Sequence, residues 1–345
     1  MTRSVTVSVP AKVNVQLAVG GLRPDGFHDL ANVFLAVGLH DRVTATPSDT
    51  LRITVEGPDA DRVPADRTNL AARAAELLGA RYGIAPDVHL HITKAIPVAG
   101  GMAGGSADGA GALVACDALW GTGASREELL AICAELGSDV PFSLLGGAAL
   151  GRGRGERLTP LDVGGTFHWV FAVADGGLST PAVYRECDRL REAAYAERSG
   201  AHAERSGAGG TGGASVEHVP DPEPSPALLD ALAEGDVVAL ASAMMAGGMR
   251  PGFAERASTR TASGGGSSND LQAAAISLRP ALAETLEAGA KAGALASVVS
   301  GSGPTCAFLA RDAAAAKALS EALRASGTCR NAIPAASPAP GATMV

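Results

Sequence analysis

Hydrophobic and polar residues alternate from the start of the chain. Val5-Thr6-Val7-Ser8-Val9 repeats with period two and is rich in β-branched residues, which predicts a strand that ends at Pro10. Ala11 to Val19 alternates again, placing Lys12 and Asn14 on one strand face, where they point either into a cleft or into solvent. Arg23-Pro24-Asp25-Gly26 then signals a turn, with Phe27 and His28 just beyond it. Val43 to Thr46 and Leu51 to Val55 are expected to form a strand pair, and Thr68-Asn69-Leu70 opens a helix with Leu70, Ala74, Leu77 and Leu78 on one face. Val88 to Ile92 reads as a strand whose His89 and His91 share a solvated face.

The next stretch, rich in glycine, interrupts this regular pattern. Pro97-Val98-Ala99-Gly100-Gly101-Met102-Ala103-Gly104-Gly105-Ser106-Ala107 follows that strand and precedes an Ala-rich helix expected over Asp108 to Trp120. Strand, glycine loop and helix in this order direct backbone N–H groups and the positive end of a helix dipole at one point, a natural place for phosphate. The loop is neither a P-loop, because Gly-Ser-Ala stands where Gly-Lys-Ser or Gly-Lys-Thr is required, nor a clean dinucleotide fingerprint. Taken alone it reads equally as a phosphate cradle or a flexible turn. Lys94 lies just before it, either reaching a phosphate or simply solvated.

Ser125 to Glu128 forms a capping box for a helix that ends at Gly137. Asp139 follows, either as the N-cap of a short helix with Pro141 near its first turn or as a catalytic carboxylate. Gly146 to Gly155 is expected to be one turn between two strands, the second being His168 to Ala174, and a helix starts near Thr180. From Arg191 to Pro224, and again from Gly247 to Ser268, the pattern gives way to Ala, Gly, Ser and charge, read as a mobile connection and a disordered insertion. Ser225 and Gly235 frame a helix, and the chain ends in a helix over Ser277 to Gly289, strands Ala296 to Val299 and Thr305 to Leu309, and a helix Asp312 to Ser326. A second glycine turn, Ser300-Gly301-Ser302-Gly303-Pro304, joins those strands. Two domains are expected, 1–175 and 176–345.

Composition narrows the chemistry. With 46% hydrophobic residues among 345, both domains can bury a core, and a net charge of −8 without a basic tract argues against nucleic acid or an anionic membrane surface. Five widely spaced cysteines suggest neither a disulfide framework nor a zinc site, and no apolar leader or long apolar run stands out. A cytoplasmic protein is expected.

The strand with Lys12 and Asn14, the glycine loop and the distal Ser-Gly-Ser-Gly turn together resemble the three motifs of the GHMP small-molecule kinases. The resemblance is carried by Pro10 to Asn14, Arg23 to His28, Pro97 to Ala107, Leu136 to Phe142, Asn269 to Leu271 and Ser300 to Thr305, and it spans about Val5 to about Leu309. It implies an α+β fold, with an N-terminal domain like domain 2 of ribosomal protein S5 and a ferredoxin-like C-terminal domain. It implies ATP and Mg2+ as cofactors and, from Arg23 to His28, an acceptor that is a cytidine diphosphate-linked methylerythritol. By the same resemblance Asp139 would be the base, Lys12 the cation beside it, and Pro97 to Ala107 the ATP loop, with Asn69 and Lys94 as further nucleotide contacts. Phe27, His28 and Tyr184 would hold the cytosine, Asn14 and Thr180 would line the acceptor pocket, and Gly301, Ser302 and Gly303 would form the third motif. The loop departs from the usual Gly-Leu-Gly-Ser-Ser-Ala, leaving Ser106 as its one hydroxyl, and Phe27 stands where tyrosine is common. No metal ligand is assigned, and the protein is expected to be a monomer or homodimer. Another GHMP kinase, such as a homoserine kinase, or a non-catalytic nucleotide sensor on the same fold, are the alternatives.

Overall fold

The computed structural model describes residues 4–206, 219, 221–246 and 267–345, with the backbone alone over 198–206. Most of the stretch expected to be an insertion at 247–268, and 207–218 and 220 of the expected connection, lie outside the described residues.

Strand β1 runs from Val5 to Leu22 straight through Pro10, so the proline does not end it as expected. It pairs antiparallel with β2, His28–Pro47, and the pairing shifts register between Pro10 and Ala11 and again between Asn14 and Gln16. These irregularities bracket Lys12 and Asn14, and such bulges re-aim side chains. Strand β3, Arg52–Glu56, does not pair with β2 as expected. After helix α1, Leu70–Tyr82, the chain returns as β4, Val88–Thr93, which inserts between β2 and β3 and pairs parallel with β3.

Helix α2 covers Gly104–Trp120 and so starts four residues earlier than expected. It lies on the face of the sheet that carries Val7, Val9, Val13 and Val15, all fully buried. A β-carbon at Gly111 would meet the Val9 and Val43 methyls at 2.8 and 2.9 Å, so glycine there permits the close approach of helix and sheet. Helix α3, Arg126–Leu136, has the expected capping box and ends at Gly137, and α4 spans Val140–Leu145.

The single turn expected from Gly146 to Gly155 is a hairpin between β5, Ala148–Arg152, and β6, Arg157–Leu161, with β5 attached to β2. Strand β7, Phe167–Val173, belongs to a second sheet. Helix α5 extends over Thr180–Ser206, well into the stretch that was expected to be a mobile connection. It is followed by α6, Pro226–Glu234, α7, Val237–Ala246, and α8, Gln272–Leu278. The helix expected over Ser277 to Gly289 is two helices, because Pro280 separates α8 from α9, Ala281–Lys291. Strands β8, Ala296–Val299, and β9, Cys306–Ala310, the helix α10, Ala313–Ser326, and β10, Asn331–Ser337, complete the second sheet in the order β10-β7-β9-β8. Strand β11, Thr343–Met344, returns to the first sheet beside β1. The class is α+β, as expected. No described helix is long and apolar enough to cross a membrane.

Candidate active site

A cleft of about 750 Å³ opens between the two sheets, lined by side chains of β1 and β2, the glycine loop, the start of α5 and the distal glycine turn. Lys12 lines it. Its ammonium group donates to Asn14 Oδ1 at 2.6 Å and to the Gly101 carbonyl at 2.9 Å, and lies 3.6 Å from Asp139 Oδ2. An ammonium has three protons; two are taken by the Asn14 and Gly101 oxygens, and the Asp139 carboxylate lies beyond hydrogen-bond distance as an ion-pair partner. Burial depresses the Lys12 pKa, and the Asp139 charge opposes that shift without cancelling it.

The sequence left Asp139 open between helix cap and reactive carboxylate, and the structure shows no cap bond from its side chain. Asp139 does precede α4, but it has αR backbone angles and makes no side-chain capping bond. Stacking of Phe142 on Phe34, with ring centroids 4.8 Å apart, fastens α4 to β2 and leaves the carboxylate facing Lys12, one third exposed. Asn14 orients the lysine from the other side. Since Asn14 Oδ1 accepts from Lys12, its amide nitrogen must donate, and it does so to Asn32 Oδ1 at 2.7 Å. Asn14 therefore lines the cleft with both polar atoms engaged.

The glycine loop is held tightly. A β-carbon at Gly101, whose φ is 74°, would sit 2.1 Å from the Ser300 carbonyl oxygen, so only glycine lets the loop cross the distal turn. Ala99 and Ala103 also have positive φ, and Ala103 occupies the N-cap position of α2 without a side-chain cap. The first N–H groups of this helix are thus left to a ligand or water. Ala99, Gly100, Gly101, Ala103, Gly104, Gly105 and Ser106 reach the cleft lining, whereas Pro97, Val98, Met102 and Ala107 do not; Met102 and Ala107 are packed in the core.

Two expected nucleotide contacts are placed elsewhere. Asn69 is the N-cap of α1, accepting from Ala71 N–H and donating to the Pro64 carbonyl, which leaves it buried and engaged. Lys94 lies beneath the loop, where its ammonium donates to Asp41 and, at 2.7 Å, to Asp108. Burial alone would lower its pKa, but Asp108 and Asp41 prevail and raise it. Asp41 Oδ1 also accepts from Ala95 and Ile96 N–H, so this triad ties both ends of the glycine loop to β2. Asp108, where α2 was expected to begin, is buried; burial and the nearby Asp41 charge push its pKa up to about 7 against the pull of Lys94.

At the far end of the cleft, His28 Nε2 lies 3.0 and 3.1 Å from the two carboxylate oxygens of Asp188, and the Tyr184 ring is 5.0 Å from the His28 ring. Phe27 is 45% exposed with the Arg154 guanidinium 4.9 Å above its ring, so Phe27 and Tyr184 each already have a partner. Thr180 exchanges a hydrogen bond of 2.9 Å with Ser302 Oγ, and Gly301, Ser302 and Gly303 line the cleft. Asn269 supports that turn by donating to the Val299 and Gly301 carbonyls. Sequence reading missed Asp188, Asp41, Asn32 and Arg154. Asp188 was within reach, because it lies four residues beyond Tyr184 on the same helix face. His89 and His91 instead share Thr54 as a hydrogen-bond partner on the solvated strand face expected for them.

Comparison with known proteins fits these features. The model of the GHMP kinases N-terminal domain matches residues 69–147, and that of the GHMP kinases C-terminal domain matches residues 228–329. The chain belongs to the GHMP kinase family, whose members are small-molecule kinases that use ATP. It is 67% identical to the 4-diphosphocytidyl-2-C-methyl-D-erythritol kinase of Streptomyces avermitilis, over 99% of this chain and 100% of that one. It is 63% identical to the enzyme of the same name from Streptomyces coelicolor, over 99% of each chain. Among solved structures, a 4-(cytidine 5'-diphospho)-2C-methyl-D-erythritol kinase superposes with a TM-score of 0.66 at 30% identity, over 96% of this chain and 98% of that one. A homoserine kinase from Cytophaga hutchinsonii superposes with a TM-score of 0.67 at 20% identity, over 100% and 98%. Backbone shape therefore does not separate these two kinds of kinase, whereas sequence identity does.

Proposed function

We propose that the chain transfers the γ-phosphoryl group of ATP to the 2-hydroxyl of 4-diphosphocytidyl-2-C-methyl-D-erythritol, giving the 2-phosphate and ADP in the non-mevalonate route to isoprenoid precursors. The observation that carries the chemistry is the Lys12–Asp139 pair, facing the cleft between the glycine loop and the distal glycine turn. The names of the most similar relatives support this acceptor over homoserine.

Phosphoryl transfer is governed by positioning and by stabilisation of charge. Asp139 accepts the proton of the attacking hydroxyl, and Lys12 beside it offsets charge on the attacking and transferred oxygens. The backbone N–H groups at the start of α2 hold the ATP phosphates, and Thr180 and Ser302 border the acceptor. No group of three or more His, Cys, Asp or Glu side chains suited to a metal occurs among the described residues. Ser106 and Asp139 are the oxygen donors at the loop, a sparse set that suits Mg2+ held mainly by phosphate oxygens and water. There the ion would offset phosphate charge. His28, Phe27 and Tyr184 receive the cytosine. A cytoplasmic location accords with five free cysteines.

A coupled assay of ADP release tests this. Turnover is expected with the cytidine compound, and turnover with homoserine or mevalonate in its place would overturn the assignment.

A further inference from the structure

At the base end of the cleft, one side chain is held by another whose role nothing above explains. His28 is 7% exposed at the start of β2, and its Nε2 faces both carboxylate oxygens of Asp188 on α5, at 3.0 and 3.1 Å. Its Nδ1 has no hydrogen-bond partner among the described residues, and both side chains belong to the cleft lining. Tyr184, one turn earlier on α5, packs against the imidazole and limits its rotation.

A neutral imidazole has a single N–H, and an ionised carboxylate can only accept. The N–H therefore sits on Nε2, because the other tautomer would set the Nε2 lone pair against two carboxylate oxygens. Nδ1 is left as an acceptor at the cleft. We propose that Asp188 is a positioning residue that fixes His28 in this tautomer, so that the base end of the cleft selects an exocyclic amine, as on cytosine, over a carbonyl at the same ring position. This rests on the acceptor assigned in the preceding subsection. An amine donates to Nδ1, whereas the uracil carbonyl opposes it with a second acceptor and leaves both unsatisfied, which is the strongest form of discrimination between similar ligands.

The full chain, wild type and Asp188→Ala, is assayed at pH 8 with the cytidine diphosphate acceptor and its uridine counterpart, and the His28 ring nitrogens are observed by 15N NMR without ligand. Alanine suits a helix, and Asp188 is partly exposed, so folding should survive. Wild type should show the proton on Nε2. Asp188→Ala should mix the tautomers, raise KM for the cytidine acceptor about tenfold to hundredfold with kcat nearly unchanged, and shrink the cytidine-to-uridine ratio of kcat/KM by a similar factor. Asp188→Glu should restore part of that ratio. A wild-type proton on Nδ1, or an unchanged ratio in Asp188→Ala, would overturn the proposal. A wild type that discriminates in favour of neither nucleotide acceptor, and turns over homoserine instead, would overturn the assignment of the acceptor on which it rests.

Discussion

Lys12 and Lys94 are both lysines beside the glycine loop, both nearly inaccessible to solvent and both paired with aspartate, yet the fold puts them to opposite uses. Lys12 has one carboxylate, at 3.6 Å and one third exposed, and its pKa is depressed by burial. Lys94 has two carboxylates, Asp41 and Asp108, sealed with it in the core, and its pKa is raised. The first arrangement leaves a charge pair open to whatever enters the cleft. The second turns its charges on one another, leaving only Asp108 Oδ1 without a hydrogen-bond partner in the cluster, and serves to hold the loop. Burial of a lysine near a glycine loop is thus a poor guide to its role, and the number and exposure of its carboxylates a better one.

The sharpest way to break this contrast is to remove each lysine in turn. Lys12→Met should lower kcat by about 10²–10³-fold while thermal stability changes little, since Asp139 remains solvated. Lys94→Met should do the reverse. It strands Asp41 and Asp108 in the core, so denaturant unfolding should show a loss of about 3–5 kcal/mol, with kcat of the folded enzyme far less affected than in Lys12→Met. Equal loss of kcat in the two variants would erase the distinction.

A smaller effect sharpens the electrostatic half of the comparison. Asp108 has its pKa raised from the ordinary value of 3.8 to about 7, chiefly by burial. The folded chain therefore binds a proton there that the unfolded chain releases, and this contribution to stability is complete below about pH 4 and fades as pH rises to about 7. Asp108→Asn has no such titration. Its melting temperature should decline less than that of wild type between those limits, and parallel profiles for the two proteins would contradict the shift.

Much of this arrangement could be read from residue order, and the unread part has physical causes. Lys12, the loop and Asp139 were legible because each belongs to a local pattern, and capping signals located α3 and α6. Partners joined across long separations were not. Asp41 meets Lys94 and Asp108 only because β4 inserts beside β2, and Asp188 meets His28 only because α5 lies over the start of that strand. Pro10 misled because a bulge accommodates it within β1, and the Ala- and charge-rich run after Arg191 misled because its helix has a weak apolar stripe. Lys94 and Asn69 were expected at the nucleotide because local order shows proximity to the loop but not which way a side chain turns.

The account stands chiefly on the Lys12–Asp139 pair as the machinery of phosphoryl transfer. Single-turnover transfer from ATP to the cytidine acceptor, measured in Asp139→Asn alongside the Kd for ATP, tests it most directly. The rate should fall by about 10²–10⁴-fold with ATP binding nearly intact. An undiminished rate would remove Asp139 as the base and the pair as the catalytic centre.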